Sequence, residues 1–121
     1  MKCGSLHTED GGLAVTVRRT ETAWERTRGL LGSPAPGRGQ GLLIAPCNSV
    51  HTMGMSYALD VVFINRLWRV VKVVHVLSPW RFTAALGARF TLEMAGGEAD
   101  RLGFAAGRLL RWEEVSCKSG Q

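Results

Sequence analysis

The side chains best suited to chemistry crowd into one stretch, from Cys47 through Ser49, His51, Thr52, Met55 and Tyr57 to Asp60. Three chemistries fit these residue types. Cys47, His51 and Met55 follow one another at intervals of four, and their thiolate, imidazole and thioether groups are soft or borderline donors suited to copper or zinc. On a helix that spacing would share a face. Gly54 and the missing helical period argue against a helix, and a dedicated metal site would bring a second Cys or His close by. Cys47, His51 and Asp60 are also the residue types of a nucleophile, its base and an orienting carboxylate, the set a thiol-dependent hydrolase would use. Such a thiol needs a positive or dipolar neighbourhood to be a thiolate at neutral pH. The third chemistry is non-covalent: His51 and Asp60 as polar anchors, with Ser49, Thr52, Met55 and Tyr57 as contact surface for a small ligand. Each reading has a structural counterpart. Cys47 and Met55 can be packed apolar groups, and His51 can hold a buried hydrogen bond. Asp60 can brace the loop at a strand entrance, and Ser49 and Thr52 can satisfy loop amides.

The flanking elements must position this stretch. Leu13–Val17 alternates apolar and polar residues, the pattern of a half-buried strand. Thr22-Ala23-Trp24-Glu25 matches a capping box, which predicts a helix to about Leu31 that buries Trp24, Leu30 and Leu31, with Gly32 and the Pro34/Pro36 pair ending it. Residues 33–41 read as a loop and Leu42–Ile44 as a short strand. Leu59–Ile64 is an almost continuous β-branched and aromatic run, so both of its faces should be covered. Asn65-Arg66 suits a two-residue turn, and Trp68–Leu77 returns to complete a central hairpin. Ser78-Pro79-Trp80 breaks that strand. Phe90–Met94 alternates as a further strand, 97–103 reads as one helical turn ending on Gly103, and Leu109–Trp112, extended to Val115, is the last strand. The expected fold is mainly β, a small barrel or sandwich of about six strands with one or two short helices. A single domain is expected over residues 12–115, with flexible tails at 1–11 and 116–121.

The 121 residues suit one ordinary core, and 45% hydrophobic with 21% charged residues is a folding composition. No stretch approaches the roughly 18–20 apolar residues of a spanning helix. Fifteen Lys+Arg against ten Asp+Glu give a formal charge of +5. The basic residues are scattered, without a basic run or interleaved aromatics, so specific nucleic-acid binding is not expected. The four tryptophans default to core packing, with a groove lining as the alternative. Cys3, Cys47 and Cys117 form no C-x-x-C pair and two lie near the ends, which predicts no disulfide scaffold and a reducing compartment. The opening residues lack the apolar h-region of a secretory signal, and a cytoplasmic protein is expected.

Four ordered blocks carry a resemblance. Arg26-Thr27-Arg28-Gly29-Leu30-Leu31-Gly32 is the first. Gly41 to Thr52, followed by Met55 and Leu59-Asp60-Val61-Val62-Phe63, is the second. Leu92-Glu93-Met94-Ala95-Gly96-Gly97 and Leu102-Gly103-Phe104-Ala105-Ala106-Gly107 complete the set. Together they resemble the bacterial and archaeal family known as domain of unknown function 192, over roughly residues 13–112. The resemblance implies a small, mainly β, single-domain fold and no activity. Two departures stand out. Gly107-Arg108 replaces a usual Gly-Asp, which removes a turn carboxylate. Met55-Ser56-Tyr57-Ala58 lacks the basic residue and proline that tend to follow the methionine.

The leading expectation is therefore a non-enzymatic binding or accessory module without a cofactor. Its site would be loop 47–60 and its partner a small ligand or a protein. The alternatives are a thiol hydrolase using Cys47 and His51, and a soft-metal protein using Cys47, His51 and Met55.

Overall fold

A computed structural model describes residues 1–117. The chain runs β1 (Lys2–Thr8), β2 (Val15–Arg19), α1 (Ala23–Arg28), β3 (Gln40–Ile44), β4 (Ser49–His51), β5 (Leu59–Ile64), β6 (Val70–Leu77), β7 (Phe82–Ala84), β8 (Phe90–Ala95), α2 (Glu98–Leu102) and β9 (Leu110–Val115). Seven strands form one sheet in the order β6-β5-β8-β3-β2-β1-β9, and β4 pairs with β7 in a small second sheet. Every pairing is antiparallel except β2 with β3, which α1 connects. The large sheet curls into a half-barrel. Its two edges meet at one end, where Arg69 bridges Leu109, the Val70 amide donates to the Arg108 carbonyl and the Leu110 amide to that of Trp68.

The mainly β fold with two short helices agrees with expectation; the strand count does not. The strands missing from the sequence reading are β1, β4 and β7. Residues 2–8 are no loose tail: β1 lies between β2 and β9. Only Leu6 is a strong apolar residue in this strand, so its pattern is too weak to read. Gly4 is required by its neighbour, because a Cβ there would collide with the Trp112 ring and the Glu113 carbonyl. The β1–β9 register also brings the chain ends together, and Cys3 and Cys117 form a disulfide across 114 residues of sequence. That corrects the expectation of no disulfide scaffold, and the cysteine pattern no longer supports a reducing compartment. Residues 118–121 of the expected second tail lie outside the described residues. Among the described residues no helix is long and apolar enough to cross a membrane.

Strand β5 is buried at all six positions, as its apolar run predicts. Alternate residues explain how. Val62 and Ile64 face the half-barrel interior with Leu6, Val17, Leu43, Leu92 and Met94. Leu59, Val61 and Phe63 face outward into a second cluster that Val50 of β4, Ala85 and Leu30 cover. The turn between β5 and β6 is longer than two residues. The Asn65 side chain accepts from the Leu67 and Arg69 amides, and Trp68, at φ 65°, takes the left-handed position. Trp68 stacks on Phe90 and Trp112, with the Arg19 guanidinium over the latter two rings. Trp24 and Trp80 are exposed, so core packing describes only half of the tryptophans.

The α1 capping box is present. Thr22 Oγ1 accepts from the Glu25 amide and the Glu25 carboxylate accepts from the Thr22 amide. The helix nevertheless stops at Arg28 and buries none of its own residues. Gly29 (φ 54°) turns the chain so that Leu30, rather than the helix, packs on the outer cluster.

Candidate functional site

Asp60 does not join the other candidates. In β5 it has the parity of Val62, so it enters the half-barrel interior and is fully buried. Its two oxygens accept from the Val76 and Ala99 amides, each at 2.8 Å. Helix α2 has Gly97 at its N-cap, which offers no side chain. Asp60 therefore satisfies a first-turn amide from a neighbouring strand. It also holds the β6 backbone where Val76 adopts φ 53°. This is the bracing role, and it removes the orienting carboxylate from the proposed thiol set.

Thr52 is braced in the same way. Its hydroxyl donates to the Ser78 carbonyl at 2.7 Å and accepts from the Arg81 amide at 2.8 Å, with no exposed surface. It ties the end of β4 to the loop before β7, and its burial keeps it out of reach of a ligand. Tyr57 is half-buried, and its hydroxyl donates to the Ser33 carbonyl at 3.1 Å. Met55 packs on the outer cluster.

Cys47, Ser49, His51 and Met55 do share a pocket of about 80 Å³ on the outer face of the sheet. Arg26, Arg28, Gly29 and Leu30 wall it on one side and the β4 arm on the other, with Ile44 and Leu59 beneath. A second hollow, of about 300 Å³, adjoins it between 30–34 and 54–57. The β4 arm is pinned from below, because Thr91 Oγ1 donates to the Cys47 carbonyl and the Cys47 amide to that of Arg89. The Cys47 thiol donates to the Ser49 carbonyl at 3.1 Å. His51 and Ser49 are exposed on the rim. Among the described residues no three of His, Cys, Asp and Glu are placed so that they could hold a metal ion.

The residue that distinguishes this pocket is Glu93. Strand β8 lies between β5 and β3, in register with Val61 and Leu42 on either side, so Glu93 projects from the middle of the sheet into the pocket. It is 4% exposed, and its Oε1 is buried without a hydrogen-bond partner among the described residues. Burial pushes its carboxyl up to about 7, because a low-dielectric setting penalises the charged form. Burial, and then the nearby Glu93 charge, also push the Tyr57 phenol up. The bare backbone of Gly29 passes over the carboxylate, where a Cβ would stand 3.5 Å from Oε1. A second buried glutamate, Glu98, shows the contrast. It takes a two-pronged hydrogen bond from Arg101 and accepts from the Gly39 amide. The Arg101 bonds first, then the Gly39 amide, hold its carboxyl down at about 2 against the burial cost. Glu93 has no such partners.

Sequence reasoning singled out the 47–60 loop and passed over Glu93. The available signal was a lone carboxylate between Leu92 and Met94 in a strand with no other charge. In a central strand such a residue is buried, and buried charges ordinarily carry partners.

Comparison with known proteins agrees with the fold. No curated protein matches the chain. A protein of unknown function from Novosphingobium aromaticivorans DSM 12444 superposes with a TM-score of 0.78 at 22% identity, over 91% of this chain and 84% of that one. A protein from Sinorhizobium meliloti 1021, described as a proposed transcription regulator, superposes with a TM-score of 0.79 at 19% identity over 92% of each chain. The model of the domain of unknown function 192 family, an uncharacterized ACR, matches residues 6–112. That span holds every strand from β2 to β8 together with the pocket, and the chain belongs to this family.

Proposed function

We propose that the protein is a small binding module whose site is the pocket above Glu93. One observation carries the reading: a carboxyl group at the centre of the sheet is buried, faces a pocket and has Oε1 unpartnered. Leaving such a group unsatisfied costs about 1–3 kcal/mol, a cost that folds tolerate where the group serves function. The site moves from the centre of loop 47–60 to its inner edge. Cys47, Ser49, His51 and Met55 stay as wall and rim, while Thr52 and Asp60 become framework. The disulfide between Cys3 and Cys117 suits a protein that works where thiols oxidise. No observation favours the hydrolase or soft-metal readings.

The test is fragment binding followed by amide chemical shifts in the full-length chain. Fragments that occupy the pocket should shift the Gly29, Val50 and Glu93 amides. Glu93→Leu, which removes the carboxyl and fills its space, should abolish those shifts for polar fragments. Shifts scattered elsewhere, or unchanged in the variant, would defeat the proposal.

A further inference from the structure

We propose that the Glu93 pocket takes a small zwitterion, with its ammonium group on the buried carboxyl and its anionic group at the mouth beside Arg26 and Arg28. The inference deepens the binding reading above and rests on it. Three observations favour this class. The floor is a carboxyl whose Oε1 lacks a donor, and an ammonium group supplies N–H donors together with the opposite charge. At the wall, Arg26 is half-buried and Arg28 exposed, and neither makes an ion pair among the described residues. Arg28 spends only its Nε, on the Leu31 carbonyl. Between floor and mouth the lining is apolar, from Leu30, Ile44, Val50 and Leu59. The charge order along the pocket is thus negative inside, apolar between and positive outside.

The other titratable groups around Glu93 do not reverse this order. Cys47 is committed to the Ser49 carbonyl and Tyr57 to the Ser33 carbonyl, and His51 is on the exposed rim. Size limits the ligand. At about 10–15 Å³ for each water-sized group, 80 Å³ holds a body of roughly six non-hydrogen atoms.

The experiment titrates the full-length protein near pH 7 with 4-aminobutyrate, n-butylammonium, butyrate and n-butanol, read by calorimetry and by the Gly29 and Val50 amide shifts. 4-Aminobutyrate should bind about tenfold or more tighter than any of the other three, the ratio expected for one added charge-assisted contact. Glu93→Gln should remove most of that advantage, and the double variant Arg26→Gln/Arg28→Gln should reduce 4-aminobutyrate to the level of n-butylammonium. Butyrate or n-butanol binding as tightly as 4-aminobutyrate overturns the zwitterion class while leaving the pocket as a ligand site. Silence of both readouts with all four probes overturns the class and the binding reading together. If Glu93→Gln fails to fold, the arginine double variant decides alone, and unchanged affinity in it overturns the proposal.

Discussion

Replacing Glu93 by Gln should flatten the dependence of stability on pH between about 4.5 and 8. An unfolded glutamate loses its proton near 4.5, whereas burial keeps the folded Glu93 protonated up to about 7. Between those values the folded state binds more protons than the unfolded one, so raising the pH favours unfolding. The stability associated with neutral Glu93 is fully present below about 4.5, falls as pH rises toward 7, and levels off above it. Each pH unit carries about 1.4 kcal/mol, so the whole loss is about 3 kcal/mol for a group raised from 4.5 to about 7. Glutamine does not titrate. Its amide adds an offset that is the same at every pH, which the comparison cancels. Glu98, held at about 2, contributes equally to both proteins and cancels in the comparison. Urea unfolding of both proteins from pH 4.5 to 8.5 measures the difference. With a slope of about 1.5 kcal/mol per molar urea, the midpoint of the native chain should lose about 2 M relative to the variant across that range. Two parallel midpoint curves would refute the assignment, because they would mean that Glu93 is solvated or paired in solution.

Two further outcomes follow from the same framework. Asp60→Ala leaves the buried Ala99 amide and the part-buried Val76 amide without an acceptor and should cost about 2–4 kcal/mol in chemical denaturation, whereas His51→Ala on the exposed rim should stay within about 0.5 kcal/mol; equal effects would show that Asp60 is not the brace described. Reducing the disulfide, or replacing both Cys3 and Cys117 by Ser, should lower stability by up to about 4 kcal/mol, since the bond closes nearly the whole chain. A chain equally stable with and without reductant would refute closure by this pair.

Local pattern sufficed for the elements with strong periodicity. The β-branched run of β5, the alternation in β8 and the capping box of α1 each state their structure within a few residues, because burial on one or both faces dictates residue type position by position. The family blocks were equally legible. Tertiary structure decided the rest. Strand β1 is held by its β2 and β9 neighbours and a disulfide, not by its own pattern. Strands β4 and β7 are three residues each and exist through one another. Proximity along the chain placed Asp60 with His51, but strand parity sends Asp60 into the interior while β4 lies over the opposite face. Glu93 lies 42 positions after His51 in sequence, yet only the stacking of the β4 arm and Gly29 over β8 puts both at one pocket. Residue types advertise which groups can do chemistry. Which of them share a solvent, a face and a cavity is set by how the sheet curls and what packs across it.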